Sequence, residues 1–395
     1  MKPNPGGQLD PDDIVGRDEL IDELWEILEG RNIYMNDLRR IGKTMILNKM
    51  AAHPPAGWLV LKRDLGGLRT GAEFASQVYR DAHALLSKKK RALRRMEQLV
   101  GGIDEVAGVI KLKDGSAAPW KETLTRTIAD LHEEHQTLNE RVVFFWDEVP
   151  FLLDNIRVAE GAERAMEVLD TLRSLSQDYP SIRFLFTGSI GIHHVLSQLR
   201  KEGYNNSPLN TFERVAPGPL NHPEAVDLAR ELILGAKLKT DDPDLAAESI
   251  ASLTGDVPFY IHRLIARIPK SQGATPDSLD ACLVNELIDA NSDWDLAHYR
   301  NRIPKYYPEG NDEAVVLALL DSLAVSQAPR PFRELANEAK SIVAGADDEQ
   351  IRGLLKLLLA DHYLTRDANG GYVFRLEIVR RWWAIDRDLL NPQVS

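Results

Sequence analysis

The chain has 395 residues, enough for two or three domains that each bury a core of their own. A formal charge of −12 argues against whole-surface binding of nucleic acid or anionic lipid, and 44% hydrophobic with 27% charged residues is a globular composition. The single cysteine, Cys282, excludes an intramolecular disulfide framework and a zinc ribbon. No apolar run approaches the about 18–20 residues that cross a bilayer, so no membrane partner is expected. The opening MKPNPGGQLDPDD lacks an apolar signal-peptide core, and a cytoplasmic location is expected.

In chain order, Asp18–Leu28 sets Leu20, Ile21, Leu24, Trp25 and Leu28 on one helical stripe, with acids in the first turn where they favour the helix dipole. A short strand, Asn32–Met35, leads through DLRRIGKT into the apolar helix MILNKMAA. Trp58–Lys62 reads as a second strand. From Gly71 to His135 the pattern is mostly helical, broken at Gly101 and at the turn residues Lys113–Ser116. Val142–Trp146 (VVFFW) and Ile182–Phe186 (IRFLF) are continuous apolar strands of the kind a parallel sheet covered on both faces requires. Four helical patterns follow from His222. A linker rich in Pro, Tyr and Gly, Ile303–Gly310, then separates these from three more helices, a hairpin signalled by Ala368-Asn369-Gly370-Gly371, and a terminal helix, EIVRRWWAIDRDLL. Three helices and a hairpin make a winged-helix module. The expected domains are residues 1–220, an α/β core; 221–302, a helical lid; and 303–395, the winged helix.

Gly42-Lys43-Thr44 lies between a strand and a helix, the context in which this tripeptide binds phosphate. Main-chain N–H groups around Ile41–Met45 would hold phosphate oxygens, Lys43 would neutralise the β- and γ-phosphates, and the Thr44 hydroxyl would ligate magnesium. The full pattern has a glycine where this chain has Asp37. An aspartate there adds negative charge and is expected to be strained in a glycine-only conformation. The apolar strand that ends in Asp147-Glu148 supplies the second half of such a site. Asp147 would hold the magnesium and Glu148 would orient or deprotonate the attacking water. A third strand ends in Thr187-Gly188-Ser189, which puts a polar residue, Ser189, beside the γ-phosphate.

Together these segments resemble the archaeal-type ATPases of the AAA+/STAND branch of P-loop NTPases, over nearly the whole chain from Ile14 to about Arg387. The resemblance rests on Ile14-Val15-Gly16-Arg17, RRIGKT, FFWDEVPFLL, FLFTGSIG, FERVAPGPL, TGDVPFYIHRL and YVFRLEIVRRWW. It implies a sheet of order 5-1-4-3-2 and bound ATP or ADP with Mg2+, held between the core and the lid. It also implies that Ile14, Val15, Gly16, Arg17 and the lid's Pro258 border the adenine, with Arg40 in the phosphate loop. In signalling relatives a winged-helix histidine contacts the ADP phosphates; the comparable stretch here, Phe374–Glu377, holds Arg375 instead. The function implied is a slowly hydrolysing ATPase switch whose output is self-association or capture of a protein partner.

Other features are read more plainly. Arg39 and Arg40 are expected to pair with nearby carboxylates, and Arg214 is a candidate for reaching a neighbouring subunit's nucleotide. Lys88–Arg95 (KKKRALRR) is basic but carries no aromatics to stack on bases, and is read as a solvated helix face. His193-His194 and the His132/His135 pair lack a third ligand and are not read as a zinc site. Trp382-Trp383 is read as core. From Gly310 onward acids outnumber Lys and Arg by 13 to 10, and the would-be recognition helix opens with Asp347-Asp348-Glu349. DNA is therefore a possible partner but not the favoured one. A degenerate nucleotide-binding scaffold, for which Asp37 speaks, is the third reading.

Overall fold

The structure is a computed structural model that describes residues 1–86, 103–106, 109–112, 119–188, 191–269, 273–289 and 291–389. Two compact units make up the chain. One comprises residues 17–37 and 43–217; the other comprises residues 1–16, 38–42 and 218–395.

The first unit is an α/β sandwich. Its strands β1 (Asn32–Asn36), β2 (Trp58–Asp64), β5 (Arg141–Asp147), β6 (Ile182–Gly188) and β7 (Phe212–Val215) form one sheet in the order β2-β5-β6-β1-β7. Every pairing in it is parallel. Counted along the chain as sheet strands one to five, this is the expected order 5-1-4-3-2. Helices α1 (Asp18–Gly30), α2 (Lys43–Ala52), α3 (Gly71–Ala82), α4 (Trp120–Gln136), α5 (Val149–Glu160), α6 (Ala162–Asp178) and α7 (Ile192–Lys201) complete the unit. A separate antiparallel pair, β3 (Ile103–Val106) and β4 (Val109–Leu112), interrupts the region whose pattern reads as helical. The β-branched residues Ile103, Val106, Val109 and Ile110 favour that outcome.

Apolar residues fill both faces of β5, which is why its sequence does not alternate. Phe145 meets Trp25 of α1 at 5.9 Å on one face. On the other, Trp146 takes Phe74 of α3 edge-on at 5.1 Å and stacks on Phe186 at 5.5 Å. All three rings of β5 are buried, and burial of each contributes about 1.5–3 kcal/mol. With its sides covered, β5 ends at its C-terminal tip in the buried Asp147, followed by the half-buried Glu148.

The second unit is helical: α8 (His222–Ala236), α9 (Pro243–Thr254), α10 (Pro258–Arg267), α11 (Pro276–Ile288), α12 (Ala297–Asn301), α13 (Ile303–Tyr306), α14 (Asp312–Ala324), α15 (Phe332–Ile342), α16 (Asp348–Ala360) and α17 (Glu377–Asp386). The hairpin β8 (Leu364–Arg366) and β9 (Tyr372–Phe374) pairs antiparallel before α17. Some of its helices start at a side-chain cap. Asn221 and Glu224 close a reciprocal box on α8, and Asp242 accepts from the N–H groups of Asp244 and Leu245 at the start of α9. One cluster of buried side chains runs from Leu220 to Ala384 and takes in Leu38 and Ile41. The stretch beginning at Ile303 contributes to it, for Ile303 and Tyr307 are buried and the Tyr307 hydroxyl donates to Asp361 Oδ2 at 2.5 Å. Trp383 is fully buried and its indole N–H donates to Asp321 at 2.8 Å, so the Trp382-Trp383 pair is core. Among the described residues no helix is long and apolar enough to cross a membrane.

Two buried histidines tie this unit's stability to pH. His262 accepts the Asn4 N–H on Nδ1 at 3.1 Å, and burial pushes its pKa down to about 4. His298, buried beside Asp295, is pushed down to about 4, again mainly by burial. In the unfolded chain each protonates near pH ~6.5. The neutral forms therefore stabilise the folded unit fully above that pH, and the contribution is lost as pH falls from ~6.5 through about 4. Melting of wild type and His262→Gln at a series of pH values checks this. The wild type should lose more of its melting temperature than the variant between pH ~7 and ~4.5, and parallel curves would refute the assignment.

Candidate functional site

The loop after β1 departs from the sequence expectation in its conformation. Asp37, at the first-glycine position, does not adopt a left-handed backbone; the left-handed residues are Arg40, at φ 68°, and Gly42, at φ 100°. The strain expected of Asp37 is absent because the turn is made further along the loop. Asp37 is 2% exposed, and its main-chain carbonyl accepts the Lys43 ammonium at 2.7 Å. At Gly42 a side chain would have open space but an unfavourable φ, so the glycine answers to conformation and not to crowding.

Residues 38–42 belong to the helical unit. Leu38 and Ile41 are buried in its core. Arg40 Nε lies 2.9 Å and Arg39 Nε 3.2 Å from the same oxygen, Asp295 Oδ2. This is the carboxylate pairing expected of the two arginines. Arg40 also sits 4.6 Å over the Phe259 ring, in the first turn of α10 directly after Pro258. In the same unit Ile14 is buried and Val15 half-buried. Gly16, at φ 71°, backs onto Glu224, whose Cδ would lie 2.8 Å from an added Cβ. Arg17, in the α/β unit, is left-handed at φ 73°, caps α1 and donates to the Pro217 carbonyl at 2.9 Å.

Within the α/β unit the Lys43-Thr44 and Asp147-Glu148 motifs meet. The Thr44 hydroxyl donates to Asp147 Oδ2 at 2.7 Å. The other oxygen, Oδ1, accepts from the Thr187 hydroxyl and from the Glu148 N–H at 3.1 Å. Glu148 is left-handed, at φ 60°, and opens α5, which leaves its side chain half-buried beside the tip of β5. A cleft of about 350 Å³ is lined by Thr44, Lys62, Arg63, Asp64, Asp147 and Glu148. A hydroxyl and a carboxylate within hydrogen-bond distance are oxygen donors of the kind magnesium prefers, so the residues fit that ion. Met45 follows in the first turn of α2.

Ser189 and Lys88–Arg95 lie outside the described residues. The polar residue that β6 does bring to the site is Thr187, two positions earlier and fully buried. Sequence reasoning also missed Asp64, which stands opposite Asp147 in the β2–β5 register, and Asp295; a register and a partner 255 residues from Arg40 leave no local signal. Other candidates lie apart from these motifs in sequence. His132 bonds Ser181 at 2.6 Å and His135 bonds Glu140 at 2.8 Å. Arg366 lies 4.6 Å over the Tyr372 ring, and Arg375 lies against His362. Arg214 is exposed on β7.

No family model matches the chain, and no curated protein does. Solved structures do. A Walker-type ATPase of Pyrococcus abyssi superposes with a TM-score of 0.63 at 17% identity, covering 95% of this chain and 97% of that one. The ORC2 protein of Aeropyrum pernix, solved in ADPNP–ADP complexes, gives 0.56 at 13% identity, covering 97% and 95%. These likenesses show the fold, an α/β core built on a parallel five-stranded sheet followed by a helical C-terminal region, over nearly the full length of each chain.

The burial of the two threonines on Asp147 sets an order of stability effects. Thr187 is fully buried and Thr44 exposed. Replacing Thr187 by the isosteric valine leaves a buried carboxylate oxygen short of a donor and should cost about 1.5–3 kcal/mol. Water can replace the lost donor at an exposed position, so Thr44→Val should cost distinctly less. Urea unfolding of the two variants measures both, and equal costs would contradict the burial argument.

Proposed function

We propose that this chain binds and slowly hydrolyses ATP, acting as a nucleotide-driven switch of the AAA+/STAND type. The observation that carries the reading is the Thr44–Asp147 hydrogen bond, which joins the phosphate-loop motif to the acidic strand tip across 103 residues of sequence. Lys43 neutralises the phosphate charge, and the main-chain N–H groups of Ile41–Met45 receive phosphate oxygens at the N-terminus of α2. Thr44 and Asp147 hold the Mg2+ ion, which when bound offsets charge on the phosphates. Glu148 accepts the proton of the attacking water. On the helical unit Ile14, Val15, Gly16 and Pro258 border the adenine, with Arg17 at the start of α1.

The output we assign is self-association or capture of a protein partner in the cytoplasm, through a helical unit that divides into a lid (221–302) and a winged helix (303–395). Charge supports a protein over DNA. Asp347 caps α16 and Asp348 pairs with Lys340 at 2.7 Å, so the helix that would enter a groove presents carboxylates. Arg366 is taken up by Tyr372.

The test is steady-state ATP turnover together with nucleotide affinity. Glu148→Gln should lower turnover at least ~100-fold while still binding ATP. Lys43→Ala should lose ATP affinity by at least ~10-fold. A wild type that neither binds nor hydrolyses ATP would make the chain a scaffold. Sedimentation with ATP, ADP and neither tests the output; an unchanged profile with every partner and nucleotide state would remove the switch.

A further inference from the structure

We infer that Asp295 is a positioning residue for the phosphate loop: it holds Arg40 in its left-handed conformation, so that Arg40 serves the phosphates through its main chain and not through its guanidinium. This deepens the reading of the loop as a nucleotide site and rests on it.

Arg40 has φ 68°, a conformation that disfavours any residue with a Cβ. Such a residue persists only where its surroundings over-determine it, and residues of this kind gather at functional sites. The surroundings here are specific. Asp295 Oδ2 accepts from Arg40 Nε at 2.9 Å, and the Phe259 ring lies 4.6 Å beneath the same guanidinium. The planar cation is thus fixed both at its edge and on its face, which a lysine could not reproduce.

Asp295 is itself left-handed, at φ 60°. Two non-glycine residues in this conformation therefore face one another across a single ion pair. The acid's own position is built into the core: Trp294 is 1% exposed, stacks on Tyr260 at 5.8 Å and donates to Glu286 at 2.8 Å, and His298 bonds the Asp295 carbonyl. On the loop side, Leu38 and Ile41 flank the arginines and are buried at 2% and 1% exposure. With Leu38, Arg40 and Ile41 all anchored, the chain is delivered to Gly42 and Lys43 with one backbone path. A set of N–H groups aimed at a phosphate needs that fixed path. Arg39 reaches the same carboxylate oxygen at 3.2 Å but has an ordinary backbone, so it adds charge to the pair and not conformation.

The experiment measures magnesium-ADP affinity by calorimetry on the full chain, for wild type, Asp295→Ala, Asp295→Glu, Arg40→Gly and the double variant Asp295→Ala/Arg40→Gly. Circular dichroism is recorded for each. Glycine adopts φ 68° with no clamp, so the expected pattern is a rescue. Asp295→Ala should bind at least ~10-fold more weakly than wild type, the double variant at least ~3-fold more tightly than Asp295→Ala alone, and Asp295→Glu between wild type and Asp295→Ala. If Asp295→Ala binds as tightly as wild type or tighter, the clamp is no positioning device and the inference falls. If Arg40→Gly alone binds as weakly as Asp295→Ala and the double variant no better, the guanidinium itself contacts phosphate and the inference again falls. A wild type that binds no magnesium-ADP removes the nucleotide reading and this inference with it. A wild type that binds, with an unaffected Asp295→Ala, removes the inference alone.

Discussion

A single carboxylate, that of Asp147, organises the α/β unit's chemistry. Its two oxygens take the hydroxyl of Thr44, the hydroxyl of Thr187 and the N–H of Glu148, so the starts of α2 and α5 and the tip of β6 are all referred to the tip of β5. That is possible only because β5 is covered on both faces. A strand flanked by Trp25 on one side and Phe74 on the other has no freedom to move its end, and the acid stands where the covering stops. The apolar run and the acid pair are thus one device: the rings fix the position, and the carboxylate uses it.

The parts of this arrangement that were legible in sequence share one property, that their cause is local. VVFFW announces burial on both faces because only apolar residues tolerate it, and Asp147-Glu148 marks where water returns. Gly42 is legible because its φ of 100° belongs to glycine. The stripe Ile21, Leu24, Trp25 and Leu28 reports a helix with one buried side, and these four side chains of α1 are the buried ones.

What was not legible has non-local causes. Asp37 looked like a strained substitution because the glycine pattern was read as a conformational requirement at that position. The loop instead places its left-handed residues at 40 and 42, and nothing in the local sequence distinguishes the two paths. The antiparallel pair 103–106 and 109–112 carries charged residues between its β-branched ones, so a helical period fits equally well. Asp64 becomes a neighbour of Asp147 only through the parallel register of β2 on β5. Asp295 meets Arg40 across 255 residues, and Thr187 is recognisable as the donor to Asp147 only once β6 is seen beside β5.

The five residues 38–42 show why a charge count misleads in such a loop. Two consecutive arginines before Gly-Lys-Thr look like phosphate ligands, since Coulomb attraction to a triphosphate is strong wherever water is excluded. Yet both guanidinium groups converge on one carboxylate of the helical unit, and their neighbours Leu38 and Ile41 are buried in that unit's core. Every side chain of the segment is therefore spent on holding it. Next in the chain is Lys43, whose ammonium donates to the Asp37 carbonyl at 2.7 Å. A phosphate oxygen carries charge of its own, so it offers the ammonium an ion pair that the neutral carbonyl does not. Both arginines are held by the Asp295 carboxylate, and Arg40 also by the face of Phe259.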